Sequence, residues 1–91
     1  MAHGHGLYLW RNGEYYTGQW KHGVKNGRGI WTGTDGEYYK GLWKSSKAHG
    51  WGIHVRANGD KYEGDWKTSV KHGFGKEYYA ASGDLYEGEF N

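Results

Sequence analysis

Histidine is the side chain in this sequence best suited to acid–base catalysis or metal binding, and six histidines are present. His3 and His5 lie two residues apart near the N-terminus, whereas His22, His49 and His72 fall in successive copies of a repeated segment. No cysteine accompanies them. Single histidines in successive copies lie too far apart to share one ion. The sequence therefore favours neither a metal site nor a cofactor.

Serine hydroxyls are the candidate nucleophiles. The serines are Ser45, Ser46, Ser69 and Ser82. None stands in an evident arrangement with the histidine and acid that would activate it. The Gly-x-Gly pairs open strand-like segments rather than helices, so they do not resemble the phosphate-binding loop of a dinucleotide site. We therefore predict that the chain is not an enzyme.

Lysine is the third residue type of interest, because its spacing is regular. Residues 21–26, 44–49 and 67–72 contain two lysines each and no acidic residue. These lysines are Lys21, Lys25, Lys44, Lys47, Lys67 and Lys71. If the three segments are loops along one edge of a sheet, their lysines could attract anionic lipid, each contributing up to about 1 kcal/mol. The alternative is a solvated edge without a ligand.

A segment of about 23 residues, present four times, must position all of these side chains. Its clearest marker is a triplet of spacing aromatic-x-Gly-x-aromatic, which occurs as Tyr16/Gly18/Trp20, Tyr39/Gly41/Trp43, Tyr62/Gly64/Trp66 and Tyr86/Gly88/Phe90. Gly-x-Gly pairs and turn pairs such as Asn12-Gly13 recur in step with the triplet. Such a period predicts a linear stack of supersecondary units. We divide the single array, residues 1–91, into repeats 4–26, 27–49, 50–72 and 73–91.

Each repeat predicts two strands joined by a turn. The segment with Gly-x-Gly forms one strand, the triplet forms the other, and the Asn-Gly or Asp-Gly pair between them is the strongest short-hairpin signal. Six residues then lead to the next repeat, too few for a crossover helix, so neighbouring strands must be antiparallel. The predicted fold is all-β: a single-layer twisted antiparallel meander of four β-hairpins without helices.

Glycine at the centre of each triplet has a packing purpose. Side chains alternate between the faces of a strand, so Tyr39, Gly41 and Trp43 share one face. A glycine in a strand costs about 0.5–1 kcal/mol against alanine, and its recurrence implies that a ring from a neighbouring hairpin lies on the bare backbone. We predict that a partner binds in an aromatic trough on this face. Its lining residues, which also act as scaffold, are Tyr16, Trp20, Tyr39, Trp43, Tyr62 and Trp66.

Composition is consistent with a thin structure held by rings. Hydrophobic residues make up only 35% of the chain and its mean hydropathy is −1.07, yet 19% of the residues are aromatic. Large rings bury about 150–250 Å² each, so few are needed. No apolar run reaches the length of a membrane span. A formal net charge of +2 with interspersed acids argues against nucleic acid.

The chain resembles the MORN repeat family (membrane occupation and recognition nexus) across essentially its full length. Residues 50–66, GWGIHVRANGDKYEGDW, carry the likeness most clearly. The resemblance implies a right-twisted hairpin ribbon used as a scaffold or adaptor at membranes, cytoskeleton or cilia, and some members pair end to end. Three residues after the triplet tryptophan the family usually has glycine, which this chain keeps at Gly23 but replaces with Ser46 and Ser69. His54 and Glu77 replace the aromatic residues that are usual in the first strand of the repeat.

From these features we predict a non-catalytic scaffold module that binds a protein segment, either a helix or an extended peptide. The unpaired edges of the terminal hairpins predict self-association, as an antiparallel homodimer or as a continued ribbon. One alternative is an adaptor for anionic phospholipid that uses the lysines. Another, implied by the resemblance, is a targeting fragment of a larger enzyme such as a lipid kinase or a lysine methyltransferase. The expected location is cytoplasmic, with the periphery of a membrane or the cytoskeleton as alternatives.

Overall fold

The computed structural model describes residues 4–90, which form one eight-stranded sheet and no helix. The strands are β1 (Gly4–Leu9), β2 (Tyr15–Lys21), β3 (Val24–Thr32), β4 (Tyr38–Lys44), β5 (Lys47–Val55), β6 (Lys61–Lys67), β7 (Val70–Tyr78) and β8 (Leu85–Phe90). Each strand pairs antiparallel with the next along the chain. The extents of 43 × 26 × 15 Å are those of a single layer. The predicted meander is confirmed.

A row of glycines crosses the whole sheet at one register position. It runs in strand order through Gly6, Gly18, Gly29, Gly41, Gly52, Gly64, Gly75 and Gly88. The tyrosine of each of the first three triplets covers a glycine of the following repeat. A methyl group on Gly52, for example, would collide with the ring and hydroxyl of Tyr39. The predicted packing of rings on glycines is therefore confirmed.

The two faces of the sheet differ in how they are covered. We call the face that carries the triplet rings the aromatic face and the other the open face. The buried hydrophobic side chains are Tyr16, Tyr39, Ala48, Tyr62 and Trp66, all on the aromatic face. Large exposed side chains on the open face are Leu7, Leu9, Tyr15, Leu42, Trp51, Phe74, Tyr78 and Leu85. The core is thus a layer of rings lying on backbone, with no second sheet.

The turns are arranged differently from the sequence-based prediction. The segments predicted as six-residue loops contain two-residue turns, because β3, β5 and β7 begin at Val24, Lys47 and Val70. Both central residues of the β4–β5 turn, Ser45 and Ser46, have positive φ, as a type I′ hairpin requires. The Asn-Gly and Asp-Gly pairs instead lie in longer connections, such as residues 10–14, with positive φ only at the glycine. The expected assignment of tight and long connections was therefore wrong.

Hydrogen bonds between repeats explain why serine is tolerated in these tight turns. The backbone N–H of Lys25 donates to Ser46 Oγ at 3.1 Å, and Ser46 N–H donates to the Lys25 carbonyl at 2.9 Å. Ala48 and Ser69 repeat the pair of bonds at 3.1 and 2.8 Å. Each turn is thereby fixed to the strand of the previous repeat. The turns consequently follow one another along one edge of the sheet.

Candidate functional site

The triplet rings form one continuous array on the aromatic face. Within a triplet, the Tyr39 and Trp43 centroids are 4.9 Å apart with their planes at 84°. Between repeats, Tyr39 and Trp66 are 5.3 Å apart at 89°. The same edge-to-face alternation extends from Tyr16 and Trp20 at one end to Phe90 at the other. Edge-to-face contacts of this kind stabilise a ring pair beyond its area burial, so the array stiffens the face.

The three tyrosines of the array are scaffold residues. Tyr16, Tyr39 and Tyr62 are 0%, 4% and 1% exposed. Their hydroxyl groups donate to the carbonyl oxygens of Gln19, Leu42 and Asp65 at 2.9, 3.0 and 2.8 Å. Burial raises the pKa of Tyr16 to about 12, although its hydrogen bond acts in the opposite direction. Burial also raises the pKa values of Tyr39 and Tyr62, and for Tyr62 the charges of Asp65 and Glu77 act in the same direction.

The tryptophans are held by hydrogen bonds to the glycine row but remain partly accessible. The indole Nε1–H groups of Trp20, Trp43 and Trp66 donate to the carbonyl oxygens of Gly6, Gly29 and Gly52 at 3.2, 3.1 and 3.1 Å. Trp20 and Trp43 are half-buried, whereas Trp66 is buried with 9% of its surface exposed. The structure therefore brings all six predicted trough residues into one array. Their role in binding a partner stays a prediction.

Open space lies beside this array. A cavity of about 180 Å³ is bounded by Trp31, Tyr39, Trp43, Ala48, His54, Trp66 and Ser69. An adjoining groove of about 450 Å³ shares His54, Trp66 and Ser69 with it and continues to Lys71 and Phe90. We call these two neighbouring spaces the aromatic trough. Its walls are held in place by ring stacking and by the indole hydrogen bonds.

The six predicted lysines divide into two groups. Lys21, Lys44, Lys47 and Lys67 are exposed beside the two-residue turns. Lys25 instead lies on the aromatic face, with its Nζ 5.2 Å from the ring centroids of both Trp10 and Trp43. Burial lowers the pKa of Lys25, and the charge of Glu14 opposes that shift.

Lys71 also lies on the aromatic face. It forms an ion pair with the buried Glu77, the closest N–O distance being 2.6 Å, and its Nζ is 5.4 Å from the Tyr62 ring centroid. The lysine edge proposed from the sequence thus retains four of its six side chains on the solvated edge, and its lipid role stays a prediction.

His54 and Glu77, the two polar residues that replace aromatic side chains on the aromatic face, each contact a charged residue. Glu77, which is 4% exposed, would be costly to bury as a charge without Lys71. His54 Nε2 lies 2.6 Å from Glu37 Oε2, and its imidazole meets the Trp66 ring edge-to-face at 5.9 Å. Two carboxylates therefore contact residues that line the trough, Glu37 through His54 and Glu77 through Lys71.

The open face carries a second groove that sequence reasoning did not assign to a site. Over the glycine row, a cavity of about 500 Å³ lies between residues such as Ile30, Lys40 and Leu42, and one of about 580 Å³ adjoins it at Trp51. Trp51 and Phe74 are 46% and 66% exposed. The sequence does carry a signal for this groove: strand residues that alternate with the triplet residues, and so lie on the open face, are often apolar.

The histidines considered for metal binding do not cluster in the part of the chain that the structure describes. Within residues 4–90, no three histidine or acidic side chains lie close enough together to hold an ion. His3 lies outside the described residues. His49 instead accepts a 3.4 Å hydrogen bond from Thr68 N–H through its Nδ1. The described part of the chain also contains no helix able to cross a bilayer.

Comparison with known proteins identifies the repeat. The family model described as MORN repeat matches four times, over residues 1–15, 16–38, 39–61 and 62–83. The last three of these matches begin at a triplet tyrosine, at a different point of the same cycle from the division used above. No curated protein matches the sequence. Since the family matches cover most of the chain, this protein belongs to the MORN repeat family.

Proposed function

We propose that the protein is a non-catalytic interaction module that holds a segment of a partner protein in the aromatic trough. The observation that carries the proposal is open space beside a stacked ring array, where two cavities of about 180 and 450 Å³ share Trp66 in their walls. Aromatic walls that are already immobilised lose little freedom when a partner binds. The partner therefore meets a preorganised apolar surface with carboxylates at its margin.

The six triplet residues have two different roles in this proposal. Tyr16, Tyr39 and Tyr62 position the array from beneath, consistent with their burial. Trp43 and Trp66 provide the indole surface that the partner contacts in the trough, and Trp20 continues the ring array beyond the two cavities. Tryptophan is among the residues that most often dominate binding energy at interfaces. Truncation of a tyrosine should therefore unfold the ribbon, whereas a mild change at the tryptophans should affect binding.

Conservative phenylalanine substitutions test this proposal. Phe90 occupies the position of Trp43 and Trp66 in the last repeat, so the chain itself shows that a phenyl ring fits. The variant W43F/W66F and the open-face variant W51F would be used alongside the unchanged protein to recover and titrate a binding protein. We expect W43F/W66F to weaken the complex about tenfold, equivalent to about 1.4 kcal/mol, and W51F to leave it unchanged. The reverse result would move the binding surface to the open face.

A second proposed property is self-association through the ends of the ribbon. It is favoured by Leu7 and Leu9 on β1 and Leu85 on β8, which are 69%, 67% and 61% exposed beside unpaired strand edges. Two such edges can pair and bury these leucines together. Light scattering on L7K and L85K variants tests this, since loss of a dimer in both supports end pairing. A strict monomer for the unchanged protein at high concentration contradicts it.

Lipid binding along the lysine edge is the rival proposal, supported by the four exposed lysines. Sedimentation with vesicles of phosphatidylcholine, with and without phosphatidylserine, separates it from trough binding. Binding through the edge should require the anionic lipid, fall with salt and disappear in K44E/K47E/K67E. Binding that survives those three changes but is lost in W43F/W66F would support the trough instead.

A further inference from the structure

Three successive positions in the ribbon are structurally equivalent, and a lysine fills two of them. Trp20 pairs across the sheet with Lys25, and Trp66 pairs with Lys71 in the same way. Lys25 Nζ lies 5.6 Å from the Tyr16 ring centroid, and Lys71 Nζ lies 5.4 Å from that of Tyr62. Distances within about 6 Å are those of cation–π contacts. The chain thus places its own ammonium group over the rings in the first and third positions.

The middle position has the rings but not the lysine. Trp43 pairs with Ala48 there, and the 180 Å³ cavity opens at Ala48 between the rings of Tyr39 and Trp66. Trp31 and Trp43 close it on other sides. The residue paired with the tryptophan is lysine in the first and third positions and alanine in the middle one. The cavity at Ala48 therefore corresponds to the volume that a lysine side chain takes in the neighbouring repeats.

The middle position also keeps an acidic residue equivalent to the one that acts on the lysine of the first position. Glu37 follows Asp35-Gly36 as Glu14 follows Asn12-Gly13, and the charge of Glu14 acts on Lys25 in the first position. Glu37 is held against the cavity wall by its 2.6 Å contact with His54. An ammonium group entering the cavity would therefore meet aromatic faces, with the Glu37 carboxylate behind the His54 ring that lines the cavity. A neutral apolar group would use the rings only.

We propose that the Ala48 cavity binds the ammonium group of a lysine side chain carried by the partner segment. This deepens the proposed function, on which it rests, by naming the residue that the partner inserts into the trough. Lysine is the occupant chosen because its unbranched stem and ammonium group fill both equivalent positions within this chain. The partner's lysine would complete a row of three that the ribbon itself leaves interrupted.

The experiment is a titration with n-butylammonium, which reproduces the end of a lysine side chain, followed by NMR of the indole N–H groups. n-Butanol is the neutral control. We expect butylammonium, at mildly alkaline pH, to shift the Trp43 and Trp66 signals and to leave Trp20 unchanged. The response to butanol should be weaker by about tenfold, because only the cation gains from the ring faces and Glu37. Equal responses to both probes, or none at Trp43 and Trp66, would overturn the proposal.

Two lysine substitutions locate the site. A48K places an ammonium group in the cavity and should abolish the response, with the fold checked from the remaining signals. A57K adds the same charge to an exposed turn and should leave the response intact. If A48K fails to fold, the double variant K71A/E77H provides an independent test. It copies the Ala48/His54 arrangement into the third position and should create a second site, seen as an additional component in the titration of the Trp66 signal, since Trp66 lines both spaces. An unchanged response in A48K, or the absence of a new site in the double variant, contradicts the proposal.

The failures of this proposal and of the proposed function can be told apart. If butylammonium titrates the cavity but W43F/W66F leaves partner binding unchanged, the cation site stands and the trough does not bind that partner. If the partner depends on the trough yet binds equally well after each of its lysines is replaced by methionine, the trough stands and the lysine proposal is wrong.

Discussion

At the scale of single residues, the main constraint is the packing of the triplet tyrosine rings on the glycine row. Tyr39 sits over Gly52, and its hydroxyl is fixed by the Leu42 carbonyl at 3.0 Å. The ring has no second position available, since it is 4% exposed and stacked between two indoles. In a single-layer sheet, the absence of a Cβ is what makes room for a core.

The first prediction concerns Gly52. G52A should lower the free energy of unfolding by about 3 kcal/mol, because the new methyl group collides with a ring that cannot retreat. G36A is the comparison, since its methyl group meets open space and only the positive φ of 92° opposes it. That strain should cost about 1 kcal/mol. Urea unfolding measures both, and equal losses would contradict the packing role of the glycine row.

The second residue-scale prediction concerns the buried ion pair. K71A leaves Glu77 buried without its partner, so it should cost about 3 kcal/mol of folding free energy at neutral pH. K71A/E77H replaces the buried carboxylate by the imidazole used at His54, and it should recover most of that loss. Thermal unfolding of the two variants measures the difference. A double variant no more stable than K71A would show that the loss comes from the lysine stem rather than from the unpaired charge.

At the scale of the element, the two-residue turns determine how one repeat meets the next. Ser46 holds a positive φ of 66°, which a residue with a Cβ adopts at a cost, yet its hydroxyl accepts the bond from Lys25 N–H. The bond between repeats offsets the local strain. Ser45 has a similar φ of 51°, and its hydroxyl makes no hydrogen bond within residues 4–90.

The third prediction uses this difference between neighbouring serines. S46A should lower the free energy of unfolding by about 1 kcal/mol, because the Lys25 N–H loses its acceptor while the strain remains. S45A should have little effect. S46G also loses the bond but relieves the strain, so its stability should lie between those of S46A and the unchanged protein. Urea unfolding of the three variants checks this order, and equal losses in S45A and S46A would contradict it.

These turns also show where prediction from the sequence ended. The period and strand alternation predict the strands, the meander and the rings on glycines, because each depends on contacts that recur in phase. Ser45 and Ser46 could not be recognised as a type I′ turn, since serine has little preference for positive φ and a contact with another repeat stabilises it there. The placement of Lys25 and Lys71 in edge loops has the same cause, since both were assigned to loops that prove to be strands. Once β3 begins at Val24, strand alternation places Lys25 on the aromatic face instead of in a loop.

At the scale of the whole molecule, the ribbon behaves as a row of similar units coupled through their rings. Tyr16, Tyr39 and Tyr62 each pack on a glycine of the following repeat, so ionisation of one of these phenols disturbs the contact between two units. Tyr16, Tyr39 and Tyr62 all have raised pKa values, that of Tyr16 reaching about 12. In the unfolded chain a tyrosine titrates near pH 10, at about its ordinary value.

The sign of the pH dependence follows from these shifts. A folded pKa above the unfolded one means that the tyrosines contribute their full stability below about pH 10, and that this contribution is lost as the pH rises towards the folded values. Each such tyrosine lowers the free energy of unfolding by up to about 1.4 kcal/mol per pH unit in that window. Lys25, whose pKa is lowered, acts in the opposite sense but is a single group. We therefore expect steep alkaline unfolding, followed by tryptophan fluorescence and tyrosinate absorbance together.

The variant Y39F provides the critical comparison for this last prediction. At neutral pH it should be less stable than the unchanged protein by about 1 kcal/mol, because the Leu42 carbonyl loses the hydroxyl that donates to it. Above about pH 10 the same variant has one buried phenol fewer to protect from ionisation, so the difference should shrink and then reverse. Y15F removes the hydroxyl of an exposed tyrosine and is the control substitution. Parallel curves for Y39F and the unchanged protein would show that burial of the phenols does not set the alkaline limit of the ribbon.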